Sequence, residues 1–154
     1  MARRVYFSFH YQRDIFRASI VRKSGLTHPD RDSAGFFDAA KWESLKLAGD
    51  KAIKRWIDKE LSGTSVTAVL IGAKTSTRPY VHYEIKQSIA LRKGLIGIRI
   101  HTLGDPRHGE DVPGANPFAQ YPGGNSVPVY DWTQHSGYPN LGVWIENAAV
   151  AAGR

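Results

Sequence analysis

Glu84 is the residue of this 154-residue chain whose type and setting best suit chemistry. It lies in the run Ser65 to Ile89, SVTAVLIGAKTSTRPYVHYEIKQSI. This run reads as a buried strand, a polar loop and a helix that opens on Tyr80 and carries Glu84 in its first turns. Open α/β sheets build ligand pockets where a strand ends and the next helix begins. An aromatic four residues before the carboxylate makes this a candidate active site. An ordinary solvated glutamate, favoured by the helix dipole, is the alternative.

The surrounding elements decide what else reaches that place. Arg4 to Phe9 (RVYFSF) is expected as the first strand. Ile15, Phe16, Ile20 and Val21 predict a helix from about Asp14 to Lys23. Turn residues fill Ser24 to Ala34, and the short apolar run Gly35 to Phe37, ending at Asp38, is expected as the second strand. Trp42 to Leu61 carries Leu45, Leu47, Ile53, Trp56, Ile57 and Leu61 and reads as an amphipathic helix with a break near Gly49-Asp50. Val66 to Ile71 is nearly all apolar, as a central parallel strand must be.

A helix from about Val81 to Arg92 is expected to end on Gly94 as its C-cap, followed by a fourth strand, Leu95 to Ile100. His101 to Val127 is rich in Gly, Pro and polar residues and long for a connection, so it is expected to be functional or mobile. Gly123-Gly124 within it reads as a turn. Val127 to Tyr130 is expected as a fifth strand, and Leu141 to Ala151 as a closing helix.

Alternating strands and helices imply a parallel sheet with right-handed crossovers. The expectation is one α/β domain over 1–154, a flavodoxin-like, doubly wound, mostly parallel five-stranded sheet with helices on both faces. Ser8, Phe9, His10, Asp38 and the segment Lys74 to Glu84 then all fall at strand carboxyl ends, around one shared crevice.

Composition narrows the function classes. With 42% hydrophobic and 23% charged residues the chain is neither disordered nor a membrane protein in type. No apolar run approaches the roughly 20 residues of a membrane span, and the basic N-terminus lacks the core and cleavage site of a signal peptide. The absence of cysteine excludes disulfides, thiolate metal sites and a cysteine nucleophile, and fits a cytoplasmic location. A net charge of +7 favours anionic partners such as nucleotide phosphates.

Several chemistries have no motif here. No glycine-rich phosphate fingerprint follows a strand, and the six histidines lack zinc-protease spacing, so no metal site is expected. There is no nucleophile elbow. Nucleic-acid modules are missing as well, so no specific nucleic acid is expected as a partner.

Taken in order, Y-F-S-F, an acidic residue soon after it, G-F-F-D-A-A-K-W-E, S-V-T-A-V-L-I-G, R-P-Y-V-H-Y-E-I and the late G-A-N-P-F resemble the TIR-like domains. More specifically, the pattern resembles the bacterial ThsB family of the Thoeris anti-phage system, and the resemblance covers most of residues 3 to 118. TIR domains usually carry Trp four residues before the catalytic glutamate, where this chain has Tyr80.

The resemblance implies an enzyme that takes NAD as its substrate, with no separate cofactor, and breaks the bond between nicotinamide and ribose. Family members make a cyclic ADP-ribose isomer, a second messenger that switches on a separate effector protein. The resemblance also implies a phage-derived trigger and self-association.

Glu84 would be the catalytic carboxylate. Phe9 and His10 would line the pocket, with core packing the alternative for Phe9; Ser8 would bond to ribose or phosphate, and Asp38 would hold a ribose hydroxyl or cap the next helix. Trp42 would stack on nicotinamide or adenine or else join the core, Tyr80 would stand beside the glutamate, and Asn116 would reach in from the late loop or else serve a turn. A non-catalytic TIR-type interaction module, or a nucleotide sensor that binds without consuming, is the competing reading.

Overall fold

The structure, a computed structural model, describes residues 3–26, 32–34, 39–107 and 109–154. The chain runs β1 (Arg4–Ser8), α1 (Tyr11–Leu26), β2 (Asp32–Ala34), α2 (Ala39–Ala48), α3 (Asp50–Ser62), β3 (Val66–Ile71), α4 (Pro79–Ala90), β4 (Gly94–Arg99), β5 (Val129–Asp131) and α5 (Gly137–Ala151). Short 3-10 turns occupy Thr75–Thr77 and Gly124–Ser126. The sheet order is β2-β1-β3-β4-β5, with every neighbouring pair parallel. The α/β reading with a parallel sheet holds. No helix among the described residues is long and apolar enough to cross a membrane.

Side chains of a strand alternate between the two faces of the sheet, and that alternation sorts the core. On one face Val5, Phe7, Ala68, Leu70, Ile96 and Ile98 pack with Ala18 and Val21 of α1 and Leu141, Trp144 and Ile145 of α5. On the other, Tyr6 packs with Ile53, Ile57 and Leu61 of α3. Val69 and Ile71 lie against Val81 and Ile85 of α4 on that same side. β3 is buried along its whole length, as its composition demands.

Several boundaries differ from expectation, each for a local reason. The strand expected at Gly35 to Phe37 lies outside the described residues; the segment that pairs with β1 is Asp32–Ala34. An edge strand needs only one neighbour, so apolarity is a poor guide to it. Helix α1 outruns its apolar stripe in both directions, spanning Tyr11–Leu26, with Arg17 paired to one Asp14 oxygen at 2.7 Å inside the fold. The break in the long helical stretch is real: Gly49, at φ 98°, separates α2 from α3.

Gly94 is not the C-cap of α4. Arg92 takes the left-handed conformation (φ 54°). The Lys93 and Arg92 amides then bond back to the carbonyls of Ser88 and Ile89, a Schellman closure. Gly94 instead opens β4 with its Cα against the Ala148 carbonyl of α5, where any side chain would collide. β5 begins at Val129 and not at Val127, since Pro128 has no N–H to give the ladder. Helix α5 starts four residues earlier than expected, with Pro139 in its first turn, where its missing N–H is tolerated.

The long 101–127 connection is packed. Arg13 binds Asp111 through two bonds of 2.7 and 2.9 Å. The fully buried Arg17 donates to the carbonyls of Leu103 and Gly109, and Arg99 donates to that of Gly114. Phe118 enters the core beside Val81 and Ile85. Arginine side chains thus supply the partners that a ladder would otherwise give the loop carbonyls.

Candidate active site

The alternation along β1 builds the site. Val5 and Phe7 face α1 and α5, so Tyr6 and Ser8 must face the opposite side, where α4 lies. In α4 the buried positions are Val81, Glu84, Ile85 and Ser88, an i, i+3, i+4, i+7 stripe. A carboxylate therefore sits in the middle of the face that packs on the sheet. Pro79 starts this helix, and the preceding Arg78 is extended, as a residue before proline prefers to be.

Glu84 is 7% exposed, and both of its oxygens are held from β1. The Tyr6 hydroxyl donates to Oε2 and the Ser8 hydroxyl donates to Oε1 at 2.8 Å. Burial pushes the Glu84 carboxyl up to about 7, against the lowering effect of the Tyr6 and Ser8 bonds and the Lys93 charge. Burial, with Glu84 beside it, holds the Tyr6 phenol well above its ordinary value, so Tyr6 keeps the proton it donates. Each carboxylate oxygen has a second lone-pair direction still open to a ligand.

The glutamate stands at the inner end of an open crevice. Aromatic groups dominate its walls. Phe9, Tyr11 and Trp42 form one flank, with Tyr11 and Trp42 ring centroids 5.1 Å apart. Tyr80 and Trp56 contribute from α4 and α3. The Tyr80 hydroxyl donates to Asp50 at 2.8 Å, which leaves its ring facing the crevice; burial and that bond push its phenol up to about 12. The polar groups are few: His10, Gln12, Arg78 and Glu84. His10 is driven down to about 4 by burial and by Arg78 and Arg13, so it is a neutral imidazole at physiological pH.

The expected residues divide accordingly. Phe9, His10, Trp42, Tyr80 and Glu84 share the crevice. Ser8 does not face it: fully buried, it spends its hydrogen on Glu84. Its place is behind the carboxylate. Asn116 is also elsewhere. Its side-chain oxygen accepts from the Phe118 amide at 2.9 Å, an Asx turn inside the 101–127 strap, and it does not line the crevice. Asp38 lies outside the described residues.

Two residues escaped the sequence reading. Tyr6 was signalled only by parity, standing two positions before Ser8 on the same face of β1. Arg78 was signalled by its place immediately before a proline that opens a helix at a strand's carboxyl end. It supplies a cation among otherwise apolar walls.

Comparison with known proteins agrees with this architecture. A family profile described as "Thoeris protein ThsB, TIR-like domain" matches residues 6–105, a span that includes β1, α4 and Glu84. A protein of Bacillus cereus (strain MSX-D12) named "Putative cyclic ADP-D-ribose synthase ThsB1" is 44% identical over 139 residues, covering 86% of this chain and 72% of the relative. By both measures the chain is a member of the Thoeris ThsB family of TIR-like domains.

Proposed function

We propose that the chain is an NAD-processing enzyme of anti-phage defence. It cleaves the nicotinamide–ribose bond and closes the remaining ADP-ribose into a cyclic isomer. The observation that carries this reading is a single one: a carboxylate held by two hydroxyls at the inner end of an aromatic crevice. The name of the Bacillus cereus relative supports the class of product.

Nicotinamide leaves as a neutral molecule once the electron pair of the C1′–N bond has moved onto its ring nitrogen, so no general acid is required. The ribose left behind carries oxocarbenium character, as in glycoside cleavage. Ionised Glu84, preorganised by Tyr6 and Ser8, stabilises that positive charge and accepts from the ribose hydroxyls. An approaching pyridinium also favours the ionised carboxylate, opposing the effect of burial.

The reacting end of the dinucleotide would enter the crevice among Phe9, Trp42 and Tyr80, beside Glu84. The rest would lie along the mouth, where Arg78 meets the diphosphate. Attack at C1′ by water gives ADP-ribose; attack by an adenosine hydroxyl or ring nitrogen gives the cyclic isomer. Water or a hydroxyl releases its proton to solvent as the C1′–O bond forms, whereas a ring nitrogen attacks through its lone pair with no proton to lose, its ring taking up the positive charge that C1′ gives up. Folding NAD back on itself favours closure, because well-oriented internal groups reach effective molarities of roughly 10⁵ M or more. On this reading the product signals to a separate effector after a phage-derived cue.

The test is chromatographic. Cells expressing the chain, with and without phage infection, and the purified protein with NAD, are assayed for free nicotinamide and a cyclic product. Wild type is expected to produce both, and Glu84→Gln neither. Equal NAD consumption by folded Glu84→Gln would refute the role of the carboxylate. Retention of NAD without turnover in infected-cell extracts would favour a sensor.

A further inference from the structure

Behind Glu84, on the side away from the crevice, lies a lysine that the reaction does not use. Lys93 follows α4 directly and is 6% exposed. Its ammonium donates to the hydroxyl of Thr64 and, at 2.8 Å, to that of Thr67, and it stands 5.7 Å from the centre of the Tyr6 ring. The same ring carries the hydroxyl that donates to Glu84. A second route leads from Lys93 to the same residue. Thr67 meets Ser88 at 2.7 Å, and the Ser88 hydroxyl donates to the Glu84 backbone carbonyl at 2.7 Å. β1 and β3 set this up in register, Tyr6 lying beside Thr67 on neighbouring strands.

A buried ammonium is costly unless it serves a charge. Two hydroxyls satisfy its hydrogen bonds without neutralising it; burial lowers Lys93 to about 7, so its charge bears on its surroundings in full only below that pH. Glu84 is the carboxylate whose charge raises Lys93, against the lowering effects of burial and Arg154.

We propose that Lys93 is a positioning residue for Glu84, fixing the carboxylate's orientation and holding it in the charged form from behind through Tyr6 and the Thr67–Ser88 hydroxyls. This rests on the reading of Glu84 as the reacting carboxylate. The groups that face the assembly from other elements are Ser8 from β1, Asp58 and Glu60 of α3 on the Tyr6 side, Arg154 on the Lys93 side, and His10 and Arg78 across the crevice. The lysine is the cation acting on Glu84 from behind the crevice. Removing it leaves burial less opposed, so Glu84 must take up its proton at higher pH.

The test measures that directly and without turnover. The Glu84 carboxyl carbon is followed by NMR in protein labelled with 13C-glutamate, its resonance assigned as the one lost in Glu84→Gln. Lys93→Met removes the charge, while Lys93→Gln removes the charge and keeps a donor for Thr64 and Thr67. The Glu84 midpoint is expected to rise by about half a pH unit or more in both variants. The acid limb of kcat for nicotinamide release should move by the same amount, with KM within about two-fold of wild type. A lysine with a purely structural role would lower the melting temperature and leave the midpoint in place, and an unmoved midpoint in either folded variant overturns the proposal. If wild type consumes no NAD under any condition, the enzymatic reading fails, while the carbon titration still decides what Lys93 does.

Discussion

Ser8 and Glu84, separated by 76 positions, are joined by a buried 2.8 Å hydrogen bond between the first strand and the fourth helix. Together with the Tyr6 bond it fixes a carboxylate that would otherwise sit uncompensated in an apolar stripe. Ser8→Ala and Tyr6→Phe each remove one donor. A hydrogen bond to a charged group is worth about 1.5–3 kcal/mol, so each change should lower kcat by roughly 10- to 100-fold. KM should change little, because neither hydroxyl faces the crevice. A KM effect as large as the kcat effect, measured by nicotinamide release, would show that these hydroxyls touch substrate after all.

The buried pair also shapes stability against pH. Glu84 binds its proton more tightly folded (about 7) than at its ordinary value of 4.5. Its contribution is therefore fully present below about 4.5 and is lost as pH rises to about 7, a change on the order of 3 kcal/mol. Lys93, lowered from 10.5 to about 7, acts in the other direction, its contribution recovering as pH rises from about 7 to 10.5. Together the two predict a dip near neutral pH. Urea unfolding at pH 5, 6, 7 and 8 should show wild type weakening from 5 to 7 more steeply than Glu84→Gln, which should be the more stable of the two at pH 7. Parallel slopes for the two proteins would remove Glu84 as the source.

Arg78 is the cation at the crevice, set there by the extended backbone before Pro79. A guanidinium pairs two phosphate oxygens at once, which an ammonium cannot do. Arg78→Ala is expected to raise KM for NAD by about 10- to 100-fold with kcat largely kept, and Arg78→Lys to recover only part of that. An unchanged KM in steady-state kinetics would place the diphosphate elsewhere.

Gly94 tests the fold apart from the chemistry. A methyl group on its Cα would strike the Ala148 carbonyl, which belongs to helix backbone and has little room to yield. Gly94→Ala should therefore cost about 1–3 kcal/mol, read as a lower melting temperature. The Glu84 titration midpoint should stay put if the strain remains at the α5 end of the sheet.

Much of this was legible in the sequence because burial on both faces leaves a composition. Val66–Ile71 could scarcely be anything but a central strand. Glu84 stood out because it follows a strand's end and a polar loop, near the start of a helix and four residues after an aromatic. Less legible was whatever depended on a partner far along the chain. Nothing local to Tyr6 says that its hydroxyl ends on a glutamate 78 residues away. For Asn116 the sequence left a pocket role and a turn role side by side, and the structure shows the turn: its side-chain oxygen accepts from the Phe118 amide. The strand at Asp32–Ala34, where turn residues were expected, was not legible because an edge segment is defined by pairing with Arg4, Val5 and Tyr6, and not by apolar content.

The two-residue alternation of β1 makes the site a matter of parity. One residue inserted ahead of the strand would present Val5 and Phe7 to Glu84, one deleted would present Phe7 and Phe9, and in both cases the two hydroxyls would turn toward α1 and α5. The hydrophobic requirement of both faces would still be partly met, yet no donor would reach the carboxylate. Length changes in this strand would therefore be tolerated by the site only in pairs, a constraint that point substitutions never expose.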